Sequence, residues 1–210
     1  MDQARLDALW DMADPACSET RLRDAAQAAA DPVVRAELET QVARALGLQE
    51  RFAEADALLD AGPEAIAPTV AARVALERGR LRNSAGDADA AAPLFEAAAR
   101  EARAAGDVFL VVDALHMLAI VDPARSAMWT EQAFAALDAV TDPRTLRWRV
   151  SLLSNRGVAL VEAGDLDAAL AAFRAAAEAA ATHGTDQQRQ WAQEDIDECL
   201  AAIATRDAAS

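Results

Sequence analysis

Apolar residues recur along most of the chain at intervals of three and four, and no useful length alternates with a period of two. The first spacing puts apolar side chains on one face of a helix. The clearest segment, 149–181, predicts two antiparallel helices joined by a tight turn at Gly164, with Asp165 or Asp167 capping the second helix. Within it, Gly157 is the small residue that a crossing helix requires.

One spacing of small, small and bulky residues, at intervals of twelve and four, occurs three times along the chain. The copies are Ala43, Ala55 and Leu59; Gly79, Ala91 and Phe95; and Gly157, Ala169 and Phe173. This spacing resembles the tetratricopeptide repeat (TPR), in which a small residue, a turn, an alanine and an aromatic follow in that order. The best copy departs from the family at Leu153, Arg156 and Leu160, where Trp, Leu and Tyr are favoured, and at Ala181, where the family has a closing proline.

The resemblance implies an all-α fold, a right-handed α-solenoid of about five stacked helical hairpins plus a C-terminal capping helix over 185–205. Asp-Pro pairs predict further helix starts, with Asp as the cap and Pro in the first turn. These pairs lie at Asp14, Asp31, Asp122 and Asp142. We expect one domain over 1–210, with a possible pseudo-duplication into 1–105 and 106–210. The segment 60–68 has no helical character and predicts a connector.

Composition supports a helical protein and narrows its partners. Alanine, the best helix former, accounts for 58 of the 210 residues, and all twenty basic residues are arginine, which suggests a GC-rich bacterial genome. The net charge of −15 argues against a nucleic-acid or anionic-membrane binder. No run approaches a membrane span, the acidic start is unlike a secretory signal, and Cys17 and Cys199 have no partner spacing. We therefore expect a cytoplasmic protein with free thiols.

Stacked hairpins curve, and the first helix of each pair lines the inner surface. Residues three before or one after the small crossing residue, and those one turn away, are therefore predicted to form a peptide- or ligand-binding groove. In the first half these residues are Arg73, Leu76, Arg80, Asn83, Asp113 and His116. In the second half they are Ser151, Ser154, Asn155, Val158 and, on the capping helix, Trp191.

Arginines concentrate on two of these inner helices, and so do the only two asparagines, Asn83 and Asn155. Arginine offers a forked pair of donors to a carboxylate, and asparagine can anchor a peptide backbone. Some TPR domains hold a partner's C-terminal carboxylate with such residues, and Asn155 matches the place of one of them. The alternative is that the arginines form ion pairs with acidic residues of neighbouring helices.

Catalytic and metal-binding motifs are not found. The GDADA and GDLDA turns lack the central glycine and closing glutamate of a calcium loop, and no phosphate-binding loop, His-Cys cluster or nucleophile elbow occurs. His116 is expected to be partly buried, and the tryptophans to pack, except Trp191, which lies off the apolar stripe of its helix. We expect no cofactor and no catalysis.

The leading functional hypothesis is a scaffold or adaptor that binds a protein or peptide, possibly through an acidic segment or a C-terminal carboxylate of that partner. One alternative is an acidic TPR chaperone for a dedicated bacterial client. The other is a small-ligand sensor or enzyme that uses Asp113, His116 and the arginines. The sequence predicts a monomer or a weak homodimer and leaves the partner open.

Overall fold

The computed structural model describes residues 3–62 and 67–208, and these form helices joined by short turns, without strands. The all-α class is therefore confirmed. The helices are α1 Gln3–Asp7, α2 Pro15–Ala28, α3 Pro32–Leu48, α4 Phe52–Ala61, α5 Pro68–Ser84, α6 Ala88–Ala105, α7 Val108–Val121, α8 Ser126–Leu137, α9 Pro143–Leu146, α10 Trp148–Glu162, α11 Leu166–His183 and α12 Asp186–Ala208.

Aspartates begin six of these twelve helices, including several that the sequence predicts. Each caps its helix by accepting a hydrogen bond from a backbone N–H of the first turn, which otherwise has no partner. Asp14, Asp31 and Asp142 do this at the Asp-Pro starts. Asp165, rather than Asp167, caps α11 by accepting from the Ala168 N–H at 3.1 Å.

The predicted Gly-Asp turns are also confirmed. Gly86 and Gly164 have φ angles of +83° and +80°, a left-handed conformation that glycine adopts without steric cost. Such a residue ends one helix, and the aspartate that follows begins the next, so α5 with α6 and α10 with α11 form close hairpins.

The chain divides into two compact units, Met1–Trp129 and Thr130–Ser210. In the first unit α2 packs on α3, and α3 contacts both α4 and α5. Their apolar faces share one core, which includes Leu22, Leu38, Val42 and Leu46, all almost wholly buried. In the second unit α11 lies against both α10 and α12.

The glycines at the predicted helix crossings are in contact with the predicted phenylalanines. A Cβ atom added to Gly79 would lie 2.5 Å from Cε1 of Phe95, and one added to Gly157 would lie 2.3 Å from Cε1 of Phe173. Real Cβ atoms do not approach so closely, so both positions require glycine. In the first copy Ala43, Ala55 and Leu59 are buried in one core cluster.

Several predicted helix boundaries were wrong. The spacing of Leu6, Leu9 and Trp10 predicts a first helix over 2–12, but α1 ends at Asp7; residue 2 lies outside the described residues. Asp122 begins a 3-10 turn, Pro123–Arg125, and not the α-helix itself. The apolar spacing also predicts one helix over 145–163, but the chain is broken at Arg147 into α9 and α10, and the last helix extends to Ala208. Of the expected connector, residues 63–66 lie outside the described residues.

Candidate functional site: a polar face on three helices

Three helices of the first unit place polar side chains close together. Helix α5 carries Arg73, Glu77 and Arg80 at intervals of four and three, which is one helical face. Asp113 and His116 share a face of α7 in the same way. Helix α3 lies against α5 and supplies Gln41 and Arg44. We call these seven residues the polar face: Gln41, Arg44, Arg73, Glu77, Arg80, Asp113 and His116.

Arg80 is at the centre of this face and is held by two carboxylates. Its Nη1 donates to Glu77 Oε1 at 2.6 Å, and its Nη2 donates to Asp113 Oδ1 at 2.5 Å. The Glu77 and Asp113 side chains are 1% and 4% exposed, and that of Arg80 is 15% exposed. Charge-assisted bonds at this depth are strong and fix the guanidinium in one position. Arg80 therefore links α5 to α7 and has two of its five donors occupied.

The electrostatics of the face follow from this pairing. Burial opposes the charge of Asp113, but the Arg80 and Arg44 guanidiniums more than offset it and hold its pKa below the ordinary value. Burial also opposes the charge of Arg80, and its two carboxylates keep its pKa above the ordinary value. For His116 burial prevails: its pKa is lowered, with Asp113 opposing that change and Arg80 adding to it.

Arg44 differs from Arg80 because no carboxylate of the described residues forms an ion pair or hydrogen bond with it. Its guanidinium carbon lies 5.7 Å from the centroid of the Trp10 ring, which is a cation–π contact. The Trp10 Nε1–H donates to Gln41 Oε1 at 3.3 Å, and this bond ties the ring to α3. The like charge of Arg80, together with burial, lowers the pKa of Arg44.

The structure thus brings four of the predicted residues of the first half together: Arg73, Arg80, Asp113 and His116. Arg73 is 5% exposed and contributes charge at Arg44. Leu76 is 1% exposed, so it is a core residue and presents no surface to a ligand. Asn83 is partly exposed, in the last turn of α5.

Sequence reasoning missed three members of the polar face, Gln41, Arg44 and Glu77, although signals for the last two were present. Arg44 follows the small crossing residue Ala43 by one position, as Arg80 follows Gly79, so the same offset applied to the first copy would have found it. Glu77 precedes Gly79 by two positions, which is the offset of Asn155 from Gly157. Its buried Oε2 has no hydrogen-bond partner among the described residues.

The predicted residues of the second unit lie mostly at the surface. Asn155 is exposed, Val158 is 48% exposed, and Ser151 and Ser154 are partly exposed on α10. Trp191 on α12 is 55% exposed, in agreement with its position off the apolar stripe. The predicted side chains of this unit are therefore accessible to a partner.

Most of the clustered arginines form the ion pairs that were the alternative to ligand binding. Arg78 pairs with Asp60 at 2.6 Å and Arg82 with Asp56 at 2.8 Å, each joining α5 to α4. In the second unit Arg149 lies 3.6 Å from Asp138, and Arg156 lies 3.4 Å from Glu131. The Arg147 Nε donates to the His183 carbonyl oxygen at 3.1 Å.

A cleft of about 560 Å³ lies elsewhere in the first unit. It is bounded by α3, the end of α4, and α5. Leu58, Val70 and Val74 make much of its lining apolar, and Arg78 and Asp60 contribute polar groups. Asp113 and His116 do not line it. The cleft and the polar face are thus separate features.

Two classes of site are not found in the part of the chain that the structure describes. Over 3–62 and 67–208, no three His, Cys, Asp or Glu side chains are grouped so that they could hold a metal ion. Within the same ranges, no helix has the length and apolar character needed to cross a membrane.

Comparison with known proteins gives a likeness of fold only. No known family matches the chain, and no curated protein matches it either. Among solved structures, the chain is similar to BtubC (BKLC) from P. vanneervenii, with a TM-score of 0.59 and 16% sequence identity. The likeness covers 95% of this chain and 92% of BtubC. At this identity it bears on fold and leaves function to the residues themselves.

Proposed function

We propose that this protein is a non-catalytic scaffold or adaptor of TPR-like architecture that binds a protein or peptide through the first helices of its hairpins. The proposal includes α-solenoid stacking of hairpins within each unit. The repeated contact of glycine with phenylalanine at two helix crossings supports that architecture, because it reproduces the spacing of the repeat in two places.

The observation that carries the binding proposal is the polar face on α3, α5 and α7. Its central arginine is fixed by two buried carboxylates, and Arg44, Asn83 and His116 around it are partly exposed. Polar groups on rigid helices lose little conformational entropy when a partner binds, so more of the contact energy becomes affinity. This arrangement suits recognition of an extended or helical segment that lies across the three helices.

Catalysis is a weaker reading of the same residues. Asp113 forms an ion pair with Arg80 and its pKa is lowered, so it is a poor general base near neutral pH. We further propose a cytoplasmic location and a monomer or weak homodimer. The partner would present an acidic segment or a C-terminal carboxylate.

The proposal can be tested by capture from a bacterial lysate with the full chain as bait and identification of bound proteins by mass spectrometry. His116→Gln alters the polar face, Asn83→Ala alters the last turn of α5, and Asn155→Ala alters the exposed side of α10. Arg100→Ala and Arg174→Ala are matched controls, because these exposed residues lie on the second helices α6 and α11.

We expect a specific partner to be lost from the Asn83→Ala and His116→Gln variants and retained by both controls. Equal capture by every variant would contradict binding through the first helices of the hairpins. Arg80→Glu is a poor test, since it would place a third carboxylate beside Glu77 and Asp113 and destabilise the fold itself.

A further inference from the structure

Arg44 is a cation of the polar face with which no carboxylate of the described residues forms an ion pair. Arg80, Arg78 and Arg82 each have a carboxylate within 2.8 Å. Arg44 is partly exposed and has only its contact with the Trp10 ring and the long-range field of its neighbours. The guanidinium of Arg44 therefore keeps N–H donors that no carboxylate of the described residues occupies.

The surroundings of Arg44 favour an anion at these donors. Arg80 and Arg73 are close enough to add positive potential at its guanidinium. An anion placed there would relieve the mutual repulsion of these arginines. The guanidinium carbon of Arg44 lies 5.7 Å from the centroid of the Trp10 ring, and that ring is itself hydrogen-bonded to Gln41, so the contact limits where the guanidinium can lie.

The chemistry of the site selects one class of ligand. A planar fork of N–H donors matches a carboxylate with two parallel hydrogen bonds. A nucleic acid or an anionic membrane would bring many negative charges to a chain whose own net charge is −15. The neighbouring guanidinium of Arg80 is already bonded to Glu77 and Asp113. The site therefore offers the donors of one guanidinium, that of Arg44, and suits one side-chain carboxylate.

We propose that Arg44, in cation–π contact with Trp10, binds the carboxylate of an aspartate or glutamate within the partner segment. This inference rests on the proposed function, since it specifies what the polar face recognises. It places the anion-binding residue on α3, one hairpin earlier than the Arg80 predicted from the sequence.

The test uses three short alanine-rich peptides and the full chain. One peptide has a central glutamate and both ends blocked, and the second has glutamine in place of that glutamate. The third has only neutral side chains, a blocked N-terminus and a free C-terminal carboxylate. Binding is followed by NMR through the Trp10 indole N–H signal, which is assigned with a Trp10→Phe variant. The blocked glutamate peptide should give a saturable shift that the glutamine peptide does not give.

In Arg44→Gln we expect at least a tenfold loss of affinity for the glutamate peptide, which corresponds to about 1.4 kcal/mol. Arg44→Lys keeps the charge but not the fork and should show an intermediate loss. Arg78→Gln is the matched control, because that arginine pairs with Asp60 and should leave the affinity unchanged. Circular dichroism of each variant checks that the fold is retained.

Two results overturn the inference: equal binding of the glutamate and glutamine peptides, or a shift produced by the free C-terminus alone. Failure of the inference differs from failure of the proposed function. Suppose that a partner from the lysate is lost in Asn83→Ala and His116→Gln but retained in Arg44→Gln. The polar face then binds that partner, but Arg44 does not bind its carboxylate.

Discussion

At the scale of single residues, two glycines decide whether the hairpins close. Gly79 and Gly157 lie under the rings of Phe95 and Phe173. A single methyl group added at either glycine would clash with the ring above it. Gly47 is a useful contrast. A Cβ there would meet only Cδ2 of Leu81, the far end of a side chain that can turn aside.

Gly157→Ala should therefore lower the free energy of unfolding by about 1–3 kcal/mol, because the ring must move to admit the methyl group. Gly47→Ala should be nearly neutral, since the gain in helix propensity of about 1 kcal/mol offsets a small adjustment of Leu81. Urea unfolding measures both. Phe173→Leu in the Gly157→Ala background should recover part of the loss, and an absence of recovery would place the strain elsewhere.

The buried pairing of Arg80 predicts a dependence of stability on pH. The pKa of Asp113 is lowered in the folded state, so the folded protein binds fewer protons than the unfolded chain at this site. Its contribution is complete above the ordinary aspartate pKa of about 3.9 and is lost as the pH falls below that value. Asp113→Asn should flatten the decline in stability at acid pH, measured by urea unfolding from neutral pH downward.

Asp113→Asn also leaves Arg80 with one carboxylate, and removing a partner from a buried pair costs about 3–5 kcal/mol. Asp113→Asn combined with Glu77→Gln and Arg80→Gln removes all three charges of the cluster and should be more stable than the single variant at neutral pH. If the single variant keeps the full acid dependence of the parent protein, another carboxylate is responsible.

At the scale of helices, the caps show what a sequence can and cannot decide. Asp165 and Asp167 both suit the start of α11, and only the backbone conformation decides between them. Asp165 accepts from the Ala168 N–H, whereas Asp167 pairs with Arg206 of α12 at 3.0 Å and is exposed. These roles differ in energy, because a cap is worth more than an exposed ion pair.

Asp165→Ala should accordingly destabilise the protein by about 0.5–2 kcal/mol through loss of the cap. Asp167→Ala, the matched control, should cost less than about 1 kcal/mol because its ion pair is solvent-exposed. Thermal and urea unfolding give the comparison. Equal losses in the two variants would contradict this assignment of the cap.

Helix identity and crossing residues could be predicted because they depend on local spacing and caps. The break at Arg147 and the 3-10 turn after Asp122 could not, since both arise where an Asp-Pro start is followed by a turn that does not propagate. The same limit applies to the polar face. The sequence indicated arginines on α5. Only the packing of α5 against α7 shows that Arg80 forms an ion pair with Asp113, whereas Arg44 contacts the Trp10 ring and forms no ion pair with a described carboxylate.

At the scale of the whole molecule, the chain has two compact units and one cysteine in each. Cys17 on α2 is partly exposed, whereas Cys199 on α12 is 3% exposed and lies in a cluster with Ala169 and Phe173. Burial, and to a lesser extent the charge of Asp167, raises the pKa of the Cys199 thiol. The two thiols can therefore report separately on the two units.

A thiol reagent should modify Cys17 in the native protein and reach Cys199 only when the second unit opens. Phe173→Ala should accelerate modification of Cys199 and leave that of Cys17 unchanged, with mass spectrometry as the measurement. Leu22→Ala in the core of the first unit is the control. If it accelerates Cys199 as much as Phe173→Ala does, the units open together.

The contact of glycine with phenylalanine also bears on how such a chain could grow. In both copies the two partners lie sixteen positions apart within a single hairpin, so the contact is local to that hairpin. A duplicated hairpin would inherit both halves of the contact at once. Lengthening the chain by gene duplication therefore requires no compensating substitution at this crossing. Replacement of the glycine by a larger residue, in contrast, requires a second substitution at the phenylalanine.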